Sequence, residues 1–196
     1  MAAGQRANTS CRLYDDAIGP AIERVAAPVR AFHRSTTPAC LAGRARVDRG
    51  TNVLAQAVAA ILGLPAASPD CPIQFHLTRD AAGIETWRRA FSGRSFASTQ
   101  EMGTGRWAGL VVERFGPLAF AMAAIGDHGG LRVVPRHWSA FGMSMPRFLG
   151  PGADAVEHGA DGRFNFDVAM RLPLIGLIVH YRGWLMPERP AAAASG

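Results

Sequence analysis

Residues 107–138 read WAGLVVERF, GP, LAFAMAAI, GDHGG, LRVVPRHW. Three short apolar or alternating runs, 107–115, 118–125 and 131–138, are separated by turn chemistry: a preset turn at Gly116-Pro117, and residues that tolerate positive φ in Gly126-Asp-His-Gly-Gly130. No helical crossover intervenes, so neighbouring runs are expected to pair as antiparallel hairpins. The same rhythm extends outward. Asp80-Ala-Ala-Gly83, Ser92-Gly93, Gly103-Thr-Gly105, Gly150-Pro-Gly152 and Gly159-Ala-Asp-Gly162 delimit further runs near 72–79, 84–91, 94–101, 154–158, 163–171 and 174–185. A sheet of this many strands curls or splits to hide its edges, and a closed barrel of that size can hold a small molecule. The expected fold class is α+β, mostly β: an antiparallel meander curled into a β-barrel, with N-terminal helices.

The first 70 residues differ in kind. Leu13, Ala17, Ile18, Ala21, Ile22, Val25, Ala26, Val29 and Phe32 recur at three- and four-residue spacing, one apolar stripe on a helix. Pro20 and Pro28 divide or kink it. Arg44 to Val47 is expected as a short first strand. Asn52 to Leu64 reads as a second helix, capped by Asn52 and closed by Gly63 and Pro65. Such helices would plug or cover one barrel end. One domain over 1–189 follows, with a helical part at 12–70, a barrel at 71–187 and a disordered tail at 190–196. No apolar run in Met1 to Asp16 resembles a leader, and the apolar stretches around 117–125 and 172–179 are too short to cross a bilayer, so a cytoplasmic protein without a membrane span is expected.

The net charge of +6 is evenly spread. Residues 1–70 carry 8 Arg against 5 acids and residues 71–196 carry 13 against 10, which is +3 in each part. No basic block emerges, and the reading is against nucleic acid. Lysine is absent, which excludes a Schiff base, a pyridoxal-phosphate anchor and a P-loop lysine. Cys11, Cys40 and Cys71 show no metal-like spacing and are expected reduced and mostly buried. The six histidines form no zinc pattern, and no Gly-x-Ser-x-Gly elbow exists. His137 and His180 are the two expected near cavity walls. No cofactor and no metal are therefore expected.

Several strings together resemble a bacterial family of unknown function, DUF4166: Gly43-Arg-Ala-Arg-Val-Asp-Arg-Gly50, Glu85-x-Trp87-x-Arg89-x-Phe91, Glu113-Arg-Phe-Gly-Pro117, Phe164-x-Phe166-Asp167-Val168 and Leu172-Pro-Leu-x-Gly176-Leu-x-Val-x-Tyr181-x-Gly183. The resemblance spans about Leu13 to Pro187. It implies no activity, although similar domains occur fused to NAD-binding dehydrogenase-like domains. A dehydrogenase-like partner or a homodimer is an expectation from that. No Gly-x-Gly-x-x-Gly follows a strand here, so no dinucleotide site is expected in this chain. The order of elements is also similar to lipocalins and intracellular fatty-acid-binding proteins, but His180-Tyr181-Arg182 does not match the Arg-x-Tyr carboxylate clamp of the latter.

The two-residue period assigns faces. Glu85, Trp87, Arg89 and Phe91 share one, and the aromatics turn it inward, so Glu85 and Arg89 are expected as an internal Glu–Arg pair that either serves structure alone or orients a ligand. Glu113, between Val111 and Phe115, poses the same question. Leu118, Phe120 and Met122, and Phe164, Phe166, Val168 and Met170, read as core or cavity wall; Tyr181 reads as a hydroxyl at the cavity's polar end. Trp87, Arg89, Phe91, Phe120, Trp138, Phe166 and Tyr181 are the candidate ligand-binding set. The apolar segment Ser139 to Pro151 is either a packed loop or a flap over the mouth. Three readings stand. The first is a binding module for a hydrophobic small molecule (lipid, isoprenoid or polyketide-like) whose polar or acidic group meets Arg89. The second is a cofactor-independent cyclase, isomerase or hydratase with Glu85 or Glu113 as general acid or base and Tyr181 assisting. The third is an accessory domain packed on a dehydrogenase.

Overall fold

The structure, a computed structural model, describes residues 12–35, 38–127 and 129–188. The expectations for Cys11, His128 and the 190–196 tail lie outside them. Its strands are β1 (Ala39–Arg49), β2 (Ser68–Arg79), β3 (Glu85–Phe91), β4 (Arg94–Met102), β5 (Val111–Phe115), β6 (Leu118–Asp127), β7 (Gly130–Ala140), the two-residue β8 (Met143–Ser144), β9 (Gly152–Ala160), β10 (Arg163–Leu172) and β11 (Gly176–Pro187). Apart from β8, a flap on the end of β7, each pairs antiparallel with the next, β7 with β9, and β11 returns to β1. The result is a closed ten-stranded antiparallel barrel without a free edge in the ring.

Local chemistry explains the hairpins. Ser92 (φ 45) with Gly93 (φ 83), and Asp161 (φ 52) with Gly162 (φ 71), place two consecutive residues at positive φ, the twist that two-residue hairpins need. Where β1 meets β11 the backbones approach so closely that a Cβ at Gly43 would sit 1.8 Å from the Trp184 carbonyl oxygen, and one at Gly183 2.1 Å from that of Arg44. Only glycine fits either position. The first strand is much longer than the expected 44–47, because β2 and β11 both extend it by pairing. The 107–115 run is shorter as a strand: Gly105–Trp107 forms a 3₁₀ turn, and Trp107 and Leu110 pack over Val112, Ala119 and Ala121. Cys71 is buried, but Cys40 is exposed and its Sγ lies 3.2 Å from His76 Nδ1, which corrects the expectation of mostly buried thiols.

As expected from Pro20 and Pro28, the N-terminal helix is divided into α1 (Leu13–Ile18), a 3₁₀ turn (Gly19–Arg24) and α2 (Ala27–His33). This unit plugs one barrel end. Leu13, Tyr14, Ile22, Val25, Val29, Phe32 and His33 are buried in it, and Phe32 stacks on Phe164 at 4.2 Å between ring centres. Burial of each large apolar side chain contributes about 1.5–3 kcal/mol. Arg34 ties the plug together by donating to Asp15 at 2.9 Å and Glu23 at 2.7 Å. At the opposite end α3 (Val53–Ile61) leads from β1 to β2, its first turn capped by Asn52, whose side chain accepts from Leu54 N–H at 2.8 Å. Four more connections share that end: 92–93, 116–117, 141–151 and 173–175.

Candidate functional site

Between the plug and the α3 end lies a cavity of about 360 Å³, within the ~300–1,000 Å³ range usual for small-molecule sites. Its wall is predominantly apolar, with Phe75, Phe96, Phe120, Phe164, Phe166 and Met170 among the residues that line it. Six polar side chains reach it: Tyr14, Arg89, Gln100, Glu113, Glu157 and Tyr181.

Arg89 enters from β3. Its NH1 donates to Ser98 Oγ at 3.0 Å and its NH2 faces Glu113 Oε1 at 3.5 Å, while Ser98 Oγ donates to the same carboxylate oxygen at 2.5 Å. The guanidinium carbon is 5.7, 5.2 and 5.6 Å from the ring centres of Phe75, Trp87 and Phe96. The cation is thus held by one carboxylate, one hydroxyl and three π faces. On β11, the Tyr181 ring packs edge-on against Phe91 at 5.4 Å and near Phe166 at 6.1 Å. Its hydroxyl has no hydrogen-bond partner among the described residues. Burial raises its pKa; nearby Arg89 opposes the shift, and Glu113 and Glu157 add to it, so the phenol stays protonated at neutral pH.

A second polar group hangs from the plug. Tyr14 O–H donates to Gln100 Oε1 at 3.0 Å, and its ring lies 3.9 Å from that of His33. Burial, reinforced by Glu157, Glu113 and Glu85 and opposed by Arg89, holds its pKa well above that of a free tyrosine. His33 Nε2 donates to Glu157 Oε2 at 2.6 Å, a contact with 1% and 10% of the two side chains exposed. Its Nδ1 is buried without a hydrogen-bond partner among the described residues.

The expected residues fall into two groups. Trp87, Arg89, Glu113, Phe120, Trp138, Phe166 and Tyr181 all line the cavity. Glu85 and Phe91 are buried at 2% exposure but do not line it. Glu85 has both carboxylate oxygens engaged, one by Arg79 from β2 and the other by Trp87 Nε1 at 2.9 Å. Phe91 instead supports Phe96 and Tyr181. His137 and His180 are not on the cavity wall: His137 is exposed, and His180 pairs with Asp167 at 2.7 Å. The cause for His137 is a bulge opposite Ala121 and Met122, where Arg136 is left unpaired. The bulge shifts the phase of β7, so that Val133, Pro135 and Trp138 face inward.

Tyr14, His33, Ser98, Gln100 and Glu157 were not singled out by the sequence. Glu157 had a signal that pointed the wrong way: Ala155 and Glu157 face the cavity while Val156, the apolar residue between them, is 36% exposed. Tyr14 was hidden beside the apolar stripe that places it.

The profile described as Domain of unknown function (DUF4166) matches residues 26–185. This chain belongs to the DUF4166 family. The DUF4166 match covers α2 and the barrel, so the cavity and its polar groups fall inside it except for Tyr14, which α1 contributes from outside. No curated protein matches the sequence. Among the described residues no helix is long and apolar enough to cross a membrane.

Proposed function

We propose that this DUF4166 barrel binds an apolar small molecule bearing one uncharged polar group, a hydroxyl or carbonyl on a lipid, isoprenoid or polyketide-like skeleton. The observation that carries the reading is the Tyr181 hydroxyl, on the wall of an apolar cavity with no partner among the described residues. The hydroxyl is open to the cavity rather than sealed in its wall, so a ligand oxygen can reach it as a hydrogen-bond partner. Arg89 already faces Glu113, so a carboxylate brought to the guanidinium would also meet that acid; a neutral group avoids the conflict. Native mass spectrometry of freshly purified protein, with extraction of any bound compound, tests the cavity directly. Titration with a neutral solvatochromic dye then compares the parent with Tyr181→Phe. Dye binding that is saturable and weakened severalfold by the variant supports the reading. A protein that neither retains a compound nor binds any member of an apolar panel refutes it.

The His33–Glu157 contact favours a second reading, a cofactor-independent enzyme of isomerase, cyclase or hydratase type. A carboxylate on the cavity wall, backed by a buried imidazole, is arranged to take a proton from a ligand carbon and return it elsewhere. Glu113 stands as the alternative base. Incubating an extracted compound with the protein in deuterium oxide distinguishes this from binding alone: incorporation lost in Glu157→Gln or in Glu113→Gln identifies the base, and no incorporation leaves the binding reading.

A further inference from the structure

The large apolar side chains left in solvent are concentrated at one place. Of the eleven among the described residues, eight lie in the connections at the α3 end of the barrel. Val53, Leu54 and Ile61 of α3 are 78%, 60% and 84% exposed, and Phe141, Phe148 and Leu174 are 78%, 74% and 103% exposed. They come from three separate connections, 50–67, 141–151 and 173–175, which the meander brings together around the same mouth. A solvated helix normally keeps its apolar side inward. Here α3 is apolar on both sides: Ala55 and Ala59 pack on the barrel, and Val53, Leu54 and Ile61 do not.

The connections at this end carry charge of one sign, and the surface acids nearest to it on the strands, Asp48, Asp70 and Asp154, are each paired with an arginine. The five connections, 50–67, 92–93, 116–117, 141–151 and 173–175, contain no Asp or Glu. Arg147 lies within one of them, and Arg49, Arg94 and Arg171 stand at the strand ends beside them. Arg94, Arg147 and Arg171 are exposed and make no ion pair among the described residues. By contrast, the acids carried by strand connections, Asp80 and Asp161, and those of the plug, Asp15, Asp16 and Glu23, all lie at the opposite end. The cavity also reaches the α3 end, since Val58, Leu62, Leu64 and Leu172 line it there, whereas Tyr14 and Phe32 floor it at the other.

We propose that the α3 end docks on an anionic lipid bilayer, with the apolar tips entering the headgroup boundary and the arginines meeting lipid phosphates. Apolar insertion combined with basic residues is the chemistry of interfacial membrane binding, and a ring of separate tips fits a deformable surface. Docking in this orientation presents the cavity mouth to the acyl region, a route for an apolar ligand that does not cross water.

The test is flotation of the full chain, without added ligand, on vesicles of phosphatidylcholine alone or with about one-third phosphatidylglycerol. Binding is expected on the anionic vesicles and is expected to weaken with salt. Each of Arg94→Glu, Arg147→Glu and Arg171→Glu is expected to reduce it about fivefold or more. Ile61→Asp/Phe148→Asp/Leu174→Asp is expected to reduce it at least tenfold while leaving the unfolding midpoint unchanged, because these side chains are already in solvent. Met186→Asp, at the plugged end, is the control and is expected to bind as the parent does. Absence of binding to anionic vesicles overturns the proposal, as does binding that Met186→Asp weakens as much as the tip variant. A parent dimer that dissociates in the tip variant without any vesicle binding also overturns it, in favour of self-association through this face. Vesicle binding is read without ligand, so its failure is separate from failure of the cavity reading.

Discussion

Removing Arg79 should reveal whether Glu85 is a structural acid. Glu85 is 2% exposed, one oxygen accepts from Arg79 NH2 and the other from Trp87 Nε1, and the Arg79 side chain is itself only 14% exposed. In Arg79→Met, Glu85 keeps one neutral donor and loses its one cationic partner among the described residues. Taking one partner from a buried pair costs roughly 3–5 kcal/mol. Arg79 retains some solvent contact and its Nε is unsatisfied in the parent, so the low end, about 3 kcal/mol, applies. Against a typical total of about 5–15 kcal/mol, that is a large fraction. For a chain of this size it lowers Tm by roughly 10 °C. Arg79→Met/Glu85→Leu removes the stranded charge and leaves only the Trp87 N–H without a partner, about 1–3 kcal/mol, so the double variant should be no less stable than Arg79→Met alone. Urea unfolding followed by tryptophan fluorescence and far-UV circular dichroism measures both. The reasoning fails if Arg79→Met stays within about 0.5 kcal/mol of the parent, or if the double variant loses the sum of the two single effects and shows no coupling.

Alkaline titration offers a clean readout, because the chain has two tyrosines and both sit in the cavity wall with raised pKa values. A folded pKa above the unfolded one contributes stability that is complete below pH about 10 and declines as pH rises through the folded value. Tyrosinate absorbance should therefore appear together with loss of native circular dichroism, and half-ionisation at pH 10 in the native protein would contradict the site. The two phenols should also respond differently to deletion. Tyr181→Phe should change stability by less than about 0.5 kcal/mol, since no protein bond is lost, whereas Tyr14→Phe should cost about 1 kcal/mol through Gln100; equal effects in thermal melts would count against the described hydrogen bonding. Substituting Gly183→Ala places a methyl into the Arg44 carbonyl oxygen and should cost several kcal/mol or prevent folding, and a near-parental melting temperature would show that β1 and β11 do not approach as described.

The barrel was legible because its signals are local. Ser92-Gly93 and Gly159-Ala-Asp-Gly162 encode turns through backbone conformations that few residues adopt, and strand alternation placed Trp87, Arg89, Phe164 and Phe166 on the inner face. The plug was legible as two prolines in an apolar stripe. The site was legible on β3, β10 and β11 and obscure elsewhere. Its hidden members depend on distant pairing: His33 and Glu157 are 124 positions apart, and Tyr14 and Gln100 are 86 apart. The inward turn of Trp138 rather than His137 depends on a bulge that the β7 sequence does not announce. Arg79 was not recognised as the partner of Glu85 because that contact runs between β2 and β3, and a single-strand reading looks along β3 toward Arg89.

The pairing of β1 with β11 has a consequence for how the protein comes into being. Every other ring junction joins strands that follow one another along the chain, whereas this seam joins residues 39–49 to 176–187. While the chain emerges in order from the ribosome, β1 and the latest strand remain as two unpaired margins, and the cavity has no enclosing wall until residues 176–187 are free to dock. Such a topology folds late and as a unit, with its longest loop closed last. A chain halted before Gly176 would expose two adhesive strands with their aromatic lining, which makes the final dozen strand residues the safeguard against association between unfinished copies.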